Sequence, residues 1–235
     1  MEHTGKYEIL LLDVDGTLLD FNASERMGIT QVLLSYGISP SEELLSRYHE
    51  LNDRFWQAFN RGEISKEKLL TERFRLFFGE LGREVDGEEA EARYRSQLDE
   101  SAILIPGALE TCRILSGRYD CYVVTNGSSK TQYKRLALSG LDRFMKDVFV
   151  SEMAGSQKPR KEYFDYCFAR IEAERQEPVC RPRTLIVGDS LHSDILGGNL
   201  AGIRTCWVNP EGNPPEEGIA IDYEIRNVAE LLEIL

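Results

Sequence analysis

The chain has 235 residues, 42% hydrophobic and 29% charged, and its 40 acidic against 28 basic residues give a formal net charge of −12. An acidic balance of that size argues against a nucleic-acid polymer or an anionic membrane as the main partner, though not against a small anionic substrate, because a few cations can dominate one cleft. The five cysteines (Cys112, Cys121, Cys167, Cys180, Cys206) form no C-x-x-C pair, the histidines His3, His49 and His192 offer no zinc spacing, and no run approaches a signal peptide or membrane span, so a cytoplasmic protein with reduced, mostly buried thiols is expected.

Tyr7–Val14 is rich in Ile and Leu without alternation, the pattern of a strand covered on both faces of a parallel sheet. Residues 19–100 change character and predict four amphipathic helices in series, a small bundle. Met27, Val32, Leu33 and Tyr36 precede a stop at Gly37. Ser39-Pro40-Ser41-Glu42 then has the form of a capping box with proline at the first helical position. Leu44, Leu45, Tyr48, Leu51, Phe55 and Phe59 follow on one helical face. Ser65 can cap a third helix carrying Leu69, Leu70, Phe74, Phe77, Phe78 and Leu81 and ending at Gly82; Asp86 and Glu89 can box a fourth with Ala90, Tyr94 and Leu98. From residue 101 strands and helices alternate: a helix near Leu109–Leu115, the strand of "CYVVTNG", a helix through Tyr133–Leu141, "VFVSE", a helix after Pro159, "TLIVGDS", a short helix, "TCWVN", and a close at Val228–Leu235. Alternation of this kind predicts a doubly wound, Rossmann-like α/β core, so the expected organisation is core over 1–18, helical cap over 19–100 and the remaining core over 101–235. "NPEGNPPEEG" (209–218) is an expected exposed loop.

Polar residues gather where the strands end: Asp13 and Asp15, Thr125 and Asn126, then Asp189 and Asp194, with Lys158 in "SQKPRK" before a helix. Open parallel sheets bind ligands beyond the carboxyl ends of their strands. Carboxylates crowded there repel one another unless a cation intervenes. Mg²⁺ suits the set, because it takes a few carboxylates and completes its shell with water and substrate phosphate. Lys158, Thr125 and the backbone N–H groups after Thr125 can meet phosphate oxygens. Read singly, each motif has a plainer reading: Asp-x-Asp-Gly and Thr-Asn-Gly are turn compositions, Lys158 could be a solvated loop lysine, and Asp189 or Asp194 could cap the helix that follows. Gly197-Gly198 inside a helix suggests close packing on the sheet, and His192 reads as exposed loop.

"DVDGT" (13–17), "VVTNG" (123–127), "QKP" (157–159) and "VGDSLHSD" (187–194), in this order and at strand ends or loops, resemble the four motifs of the haloacid dehalogenase (HAD) superfamily. The helical segment falls between the first and second, as in members with a helical cap. The stretches from Thr125 to Phe164 and from Val187 to Pro210 further resemble bacterial 5'-nucleotidases acting on pyrimidine and noncanonical nucleoside monophosphates. The resemblance implies that Asp13 is a nucleophile forming an aspartyl-phosphate and that Asp15 protonates the leaving alcohol and then helps activate water. It implies phosphate binding by Thr125, Asn126 and Lys158, Mg²⁺ on Asp13, the Asp15 backbone carbonyl and Asp189, and Asp194 behind the metal or reaching it through water. Dehalogenase members lack the second aspartate, so Asp15 favours phosphoryl transfer. The expected activity is Mg²⁺-dependent hydrolysis of a small phosphorylated metabolite, foremost a nucleoside 5'-monophosphate. The alternatives are a sugar phosphate, phosphoglycolate or FMN as substrate, a phosphosugar mutase, or a non-catalytic phosphate binder. Substrate choice is expected from the cap, hinged near Leu18–Asn22 and Asp99–Pro106, with Phe21, Arg54 and Trp56 as candidates. Phe55, Trp56 and Phe59 read first as bundle core, with Trp56 the one that falls off the apolar stripe.

Overall fold

A computed structural model describes residues 6–235; His3 lies outside the described residues. Residue contacts divide the chain into two compact units, Met1–Asp20 with Ile103–Leu235, and Phe21–Ala102. The division falls two residues later than the expected 18/19 and 100/101 at each crossing. Leu19 bridges Leu104 antiparallel and the Asp20 N–H donates to the Ile103 carbonyl at 2.8 Å, so these residues belong to the α/β unit.

The α/β unit is a six-stranded sheet in which every pairing is parallel. Its strands are β1 (Ile9–Leu12), β2 (Asp120–Thr125), β3 (Val148–Val150), β4 (Thr184–Gly188), β5 (Arg204–Val208) and β6 (Tyr223–Ile225), in the order β3-β2-β1-β4-β5-β6. β1 is buried throughout because both faces are covered: Leu10 and Leu12 enter one apolar cluster with Cys112, Leu115, Leu136 and Val228, while Ile9 and Leu11 enter another with Tyr163, Phe164, Cys167 and Phe168. The strand order reverses at β1, which places the crevice for a ligand at the carboxyl ends of β1 and its neighbours. β6 was not anticipated; it is three residues long, with only Ile225 buried, so its sequence carries no apolar run.

The helical insert comprises α1 (Phe21–Ser35), α2 (Glu42–Asn60), α3 (Lys66–Glu80) and α4 (Gly87–Leu98). Its core joins Ile29, Val32, Leu33, Leu45, Tyr48, Leu51, Phe74, Phe77, Phe78, Ala90, Tyr94 and Leu98. Ser65 caps α3 by accepting from the Lys68 N–H, and Asp86 caps α4 by accepting from Glu88 and Glu89. Two local expectations fail. Met27 is 56% exposed, and Ile29 takes the core position beside Val32 and Leu33. The cap of α2 is Ser41, which accepts from Leu44 N–H at 3.3 Å, so Pro40 lies before the helix rather than in its first turn. No helix among the described residues is long and apolar enough to cross a membrane.

The α/β unit carries α5 (Ala108–Leu115), α6 (Ser129–Ser139), α7 (Ser151–Ala154), α8 (Lys161–Arg175), α9 (Leu196–Ala201) and α10 (Leu231–Ile234). Gly197 and Gly198 answer to close packing: a Cβ would stand 2.7 Å from Phe164 at the first and 2.6 Å from Ile186 at the second. Cys112, Cys121, Cys167 and Cys206 are buried free thiols and Cys180 is exposed.

Candidate active site

Asp13 follows β1 directly, and its N–H still donates to the Val187 carbonyl of β4 at 2.9 Å, so the ladder runs into the site. Its carboxylate accepts from Lys158 Nζ at 2.5 Å. Lys158 is 1% exposed and its ammonium is engaged three ways, by Asp13, by Asp194 at 2.6 Å and by the Val124 carbonyl at 2.9 Å. Asn126 fixes the lysine's backbone reciprocally: its amide donates to the Lys158 carbonyl at 3.0 Å and accepts the Lys158 N–H at 2.9 Å. The Lys158–Pro159 peptide is cis.

Asp194 is buried in a wide π turn over Leu191–Ile195, with one oxygen on Lys158 and the other accepting the Ser190 N–H at 3.1 Å. The turn itself is capped by Ser190, which accepts from Ser193 N–H, so neither Asp189 nor Asp194 serves as its cap. Asp189 follows β4, and its backbone carbonyl accepts the Trp207 indole N–H at 2.8 Å. Gly16 makes room for the Asp189 carboxylate: its φ is +84°, and a Cβ would stand 2.7 Å from the carboxyl carbon. His192 is exposed and pairs with Glu216 at 3.0 Å.

Carboxylate oxygens of Asp13, Asp189 and Asp194 lie within 4.8 Å of one another. Three carboxylates therefore face one ammonium. Burial pushes the Asp13 carboxyl up to about 7; Lys158 opposes the shift and Asp194 adds to it. Asp189 is pushed well up in the same way, by desolvation and then by Asp13 and Asp194, although its side chain keeps contact with solvent. Burial works against charge on Lys158, but Asp13 and Asp194 outweigh it and hold the amine protonated.

Thr125 ends β2. Its hydroxyl accepts the Gly127 N–H at 3.0 Å, and its own N–H donates to the Tyr163 hydroxyl, which in turn donates to the Phe149 carbonyl at 2.7 Å. The Asp15 side chain stands outside the three-carboxylate cluster. One of its oxygens accepts from Gln132 Nε2 at 2.6 Å and the other from Arg135 Nη1. Gln132, Arg135, Tyr163 and Trp207 were absent from the expected site. No sequence signal marked them; in the structure α6 buries Thr131, Gln132, Arg135 and Leu136 and leaves Tyr133 and Leu138 exposed.

Phe21, Arg54 and Trp56 all fall in the helical insert. Phe21 opens α1 and packs against the insert's own core, and Arg54 is exposed. Trp56 is half-buried, sits edge-on to Phe59 at 5.9 Å, and has an indole N–H that is buried without a hydrogen-bond partner.

An α/β sheet of this order with acidic strand ends and a buried lysine is the framework of a hydrolase, and the family is shown directly. A model of the haloacid dehalogenase-like hydrolases matches residues 7–202, and the chain belongs to that family. It is 44% identical to the HAD-hydrolase YfnB of Bacillus subtilis over 98% of this chain and 96% of that one. The crystal structure of YfnB bound to magnesium superposes with a TM-score of 0.92 at 43% identity, covering 98% of this chain and 99% of that chain. The chain is also 36% identical to the pyrimidine 5'-nucleotidase PynA of Streptococcus pneumoniae, over 97% of this chain and 95% of PynA. With the pyrimidine 5'-nucleotidase YjjG of Escherichia coli the identity is 31%, over 98% of each chain.

Proposed function

We propose that this hydrolase is a Mg²⁺-dependent phosphomonoesterase whose substrates are nucleoside 5'-monophosphates. The observation that carries the reading is the excess of carboxylate over cation where Asp13, Asp189 and Asp194 converge on Lys158. Oxygen-only donors so close together suit one small, hard divalent ion. Asp13, Asp189 and the Asp15 backbone carbonyl would hold it, with Asp194 fixing Lys158 behind them. Once bound, the ion would neutralise part of the phosphoryl charge and polarise its oxygens. The magnesium in the YfnB crystal structure and the nucleotidase activity in the names of PynA and YjjG support the same reading.

In this reading Asp13 attacks phosphorus, forming an acyl-phosphate bond as the bond to the leaving oxygen breaks. Asp15 gives that oxygen its proton. Water then attacks the same phosphorus, its proton passing to Asp15, and the Asp13 carboxylate is released with inorganic phosphate. Lys158 stabilises the transferring group's charge, and the Thr125 hydroxyl, whose oxygen already accepts from Gly127, keeps its proton to donate. Asn126 has its carboxamide on Lys158, so its contribution to phosphate would come from its backbone N–H.

Phosphate release across a panel of phosphomonoesters tests the assignment. Nucleoside monophosphates, pyrimidines among them, should show higher kcat/KM than sugar phosphates, phosphoglycolate or FMN. Excess EDTA should abolish turnover and Mg²⁺ should restore it. A sugar phosphate preferred over every nucleotide would overturn the substrate, and turnover in EDTA would overturn the metal. Phe21, Arg54 and Trp56 are carried forward as contacts for the nucleoside, aromatic rings offering a stacking surface for the base. Phe21→Ala and Trp56→Ala should then lower kcat/KM for a nucleotide far more than for p-nitrophenyl phosphate. Parallel losses would assign both side chains to packing alone.

A further inference from the structure

We infer that Gln132 and Arg135 are positioning residues that hold the Asp15 carboxylate in one orientation and join it, through α6, to the loop that carries Thr125 and Gly127. The inference rests on the phosphomonoesterase reading for what Asp15 does, and on geometry for how Asp15 is held.

The two side chains are three residues apart on α6 and therefore share a face. Both are buried, at 2% and 1% exposure. Each takes a different oxygen of the same carboxylate: Gln132 Nε2 at 2.6 Å on Oδ2, and Arg135 Nη1 on Oδ1. A carboxylate held at one oxygen can still swing about its side-chain torsions, but donors on both oxygens fix its plane. An ionised carboxylate has about four acceptor positions. Two donors leave positions open on each oxygen, and the Asp15 side chain remains 26% exposed, so its free edge faces solvent.

Packing alone would not select these residues. Burying a polar side chain carries a desolvation cost that an aliphatic residue would avoid. Gln132 even leaves its Oε1 buried without a hydrogen-bond partner. What the pair gains is the contact with Asp15, across 117 and 120 residues of sequence.

Gly127 supplies an independent observation. Its φ lies outside the left-handed region, so its backbone does not require glycine. Its space does: a Cβ would stand 2.8 Å from both Cγ and Cδ of Gln132 and would strike the amide nitrogen as well. The glycine of the Thr-Asn-Gly turn is thus the slot through which Gln132 reaches Asp15. The loop carrying Thr125 and Gly127 leads directly from β2 into α6, which carries Gln132 and Arg135, so one continuous segment sets both the phosphate loop and the orientation of Asp15.

The test compares Gln132→Met, Arg135→Met, Arg135→Lys and Gly127→Ala with Asp15→Asn. Each is assayed on a nucleoside monophosphate, whose alkoxide needs a proton to leave, and on p-nitrophenyl phosphate, whose phenolate does not. Proton transfer by a positioned group is worth ~10²–10⁴-fold, and misplacing that group should forfeit part of it. We expect kcat on the nucleotide to fall about 10–100-fold in the methionine variants and less than about threefold on p-nitrophenyl phosphate, with KM little changed. Arg135→Lys should recover part of the loss. Crystal structures of wild type and of Gln132→Met, which matches glutamine in shape, give a readout independent of turnover. Asp15 should hold one orientation in the wild type and lose it in the variant. Equal losses on both substrates tracking Tm, or an Asp15 unmoved in the variant structure, would overturn the inference. A wild type inactive on both substrates would instead overturn the phosphomonoesterase reading, and the structures would still decide whether the pair holds Asp15.

Discussion

In the helical insert, Arg73 is buried between Asn52 and Glu91, at 2.5 Å from each, while Asn52 donates to Glu25 at 2.6 Å and Glu25 meets His49 at 2.6 Å. Arg95 closes on the far oxygen of Glu91 at 2.6 Å, and the Arg73 guanidinium lies over the Phe74 and Tyr94 rings. In the α/β unit, Lys158 is buried between Asp13 and Asp194 with Asp189 beside them. Both gather charge around a buried cation, but the insert's carboxylates each have a cationic partner, and the α/β cluster has carboxylates to spare. A balanced cluster can hold a bundle in register. An unbalanced one holds charge that folding disfavours, and a bound cation would offset it. The difference marks the second cluster as the candidate site where burial of charge alone would not.

The largest effect should come from Asp13→Asn. An amide is a poor nucleophile and a weaker ligand for a hard cation, and loss of a covalent nucleophile typically costs at least ~10⁴-fold in kcat. Phosphate release by the purified variant measures it, and near-wild-type turnover would contradict a covalent Asp13.

The next prediction sets the two clusters directly against each other. Arg73→Met removes the cation between Asn52 and Glu91, and breaking a buried pair from one side costs ~3–5 kcal/mol. Asp189→Asn removes a carboxylate whose charged form is already disfavoured. In EDTA near pH 8 it should raise the denaturant midpoint, and only slightly, because solvent screens the exposed Asp189 side chain. Denaturant midpoints of the two variants should therefore move in opposite directions. If both fall, the α/β cluster is as well balanced as the insert's.

The smallest effect is in pH. The Glu25 hydrogen bond raises His49 to about 9 from its ordinary 6.5. Since the folded state holds the proton more tightly, this contribution is fully present below about 6.5 and is lost as pH rises through about 9. His49 is 42% exposed, so solvent screens the pair and the slope should be shallow. Thermal midpoints of wild type and His49→Gln should converge between pH 6.5 and pH 9. A constant gap across that window would remove the imidazolium from the account.

The amino-acid sequence by itself determined the kind and order of nearly every element. Short apolar runs bounded by polar turns and alternating with helices form strands covered on both faces, and apolar residues at helical spacing over 42–60 and 66–80 bury one stripe of a helix. It also determined that acidic residues would end β1 and β4, because chain order alone puts Asp13 and Asp189 there. Signals one residue wide were less secure. The capping-box reading made Ser39 the cap of α2 with Pro40 inside the helix, and only the backbone path chose Ser41. Met27 and Ile29 are both apolar, and only the packing of α1 against α4 turned Ile29 inward, with Gly28 so close to Tyr94 that a Cβ there would stand 2.9 Å from the ring. The tertiary structure alone decided which charges meet. Lys158 reaches Asp13 across 145 residues, and Gln132 reaches Asp15 across 117. Periodicity reports which face of an element is buried but not what that face will touch, so a buried glutamine and arginine on α6 could be seen as anomalies and assigned to Asp15 only once the sheet and helix were assembled.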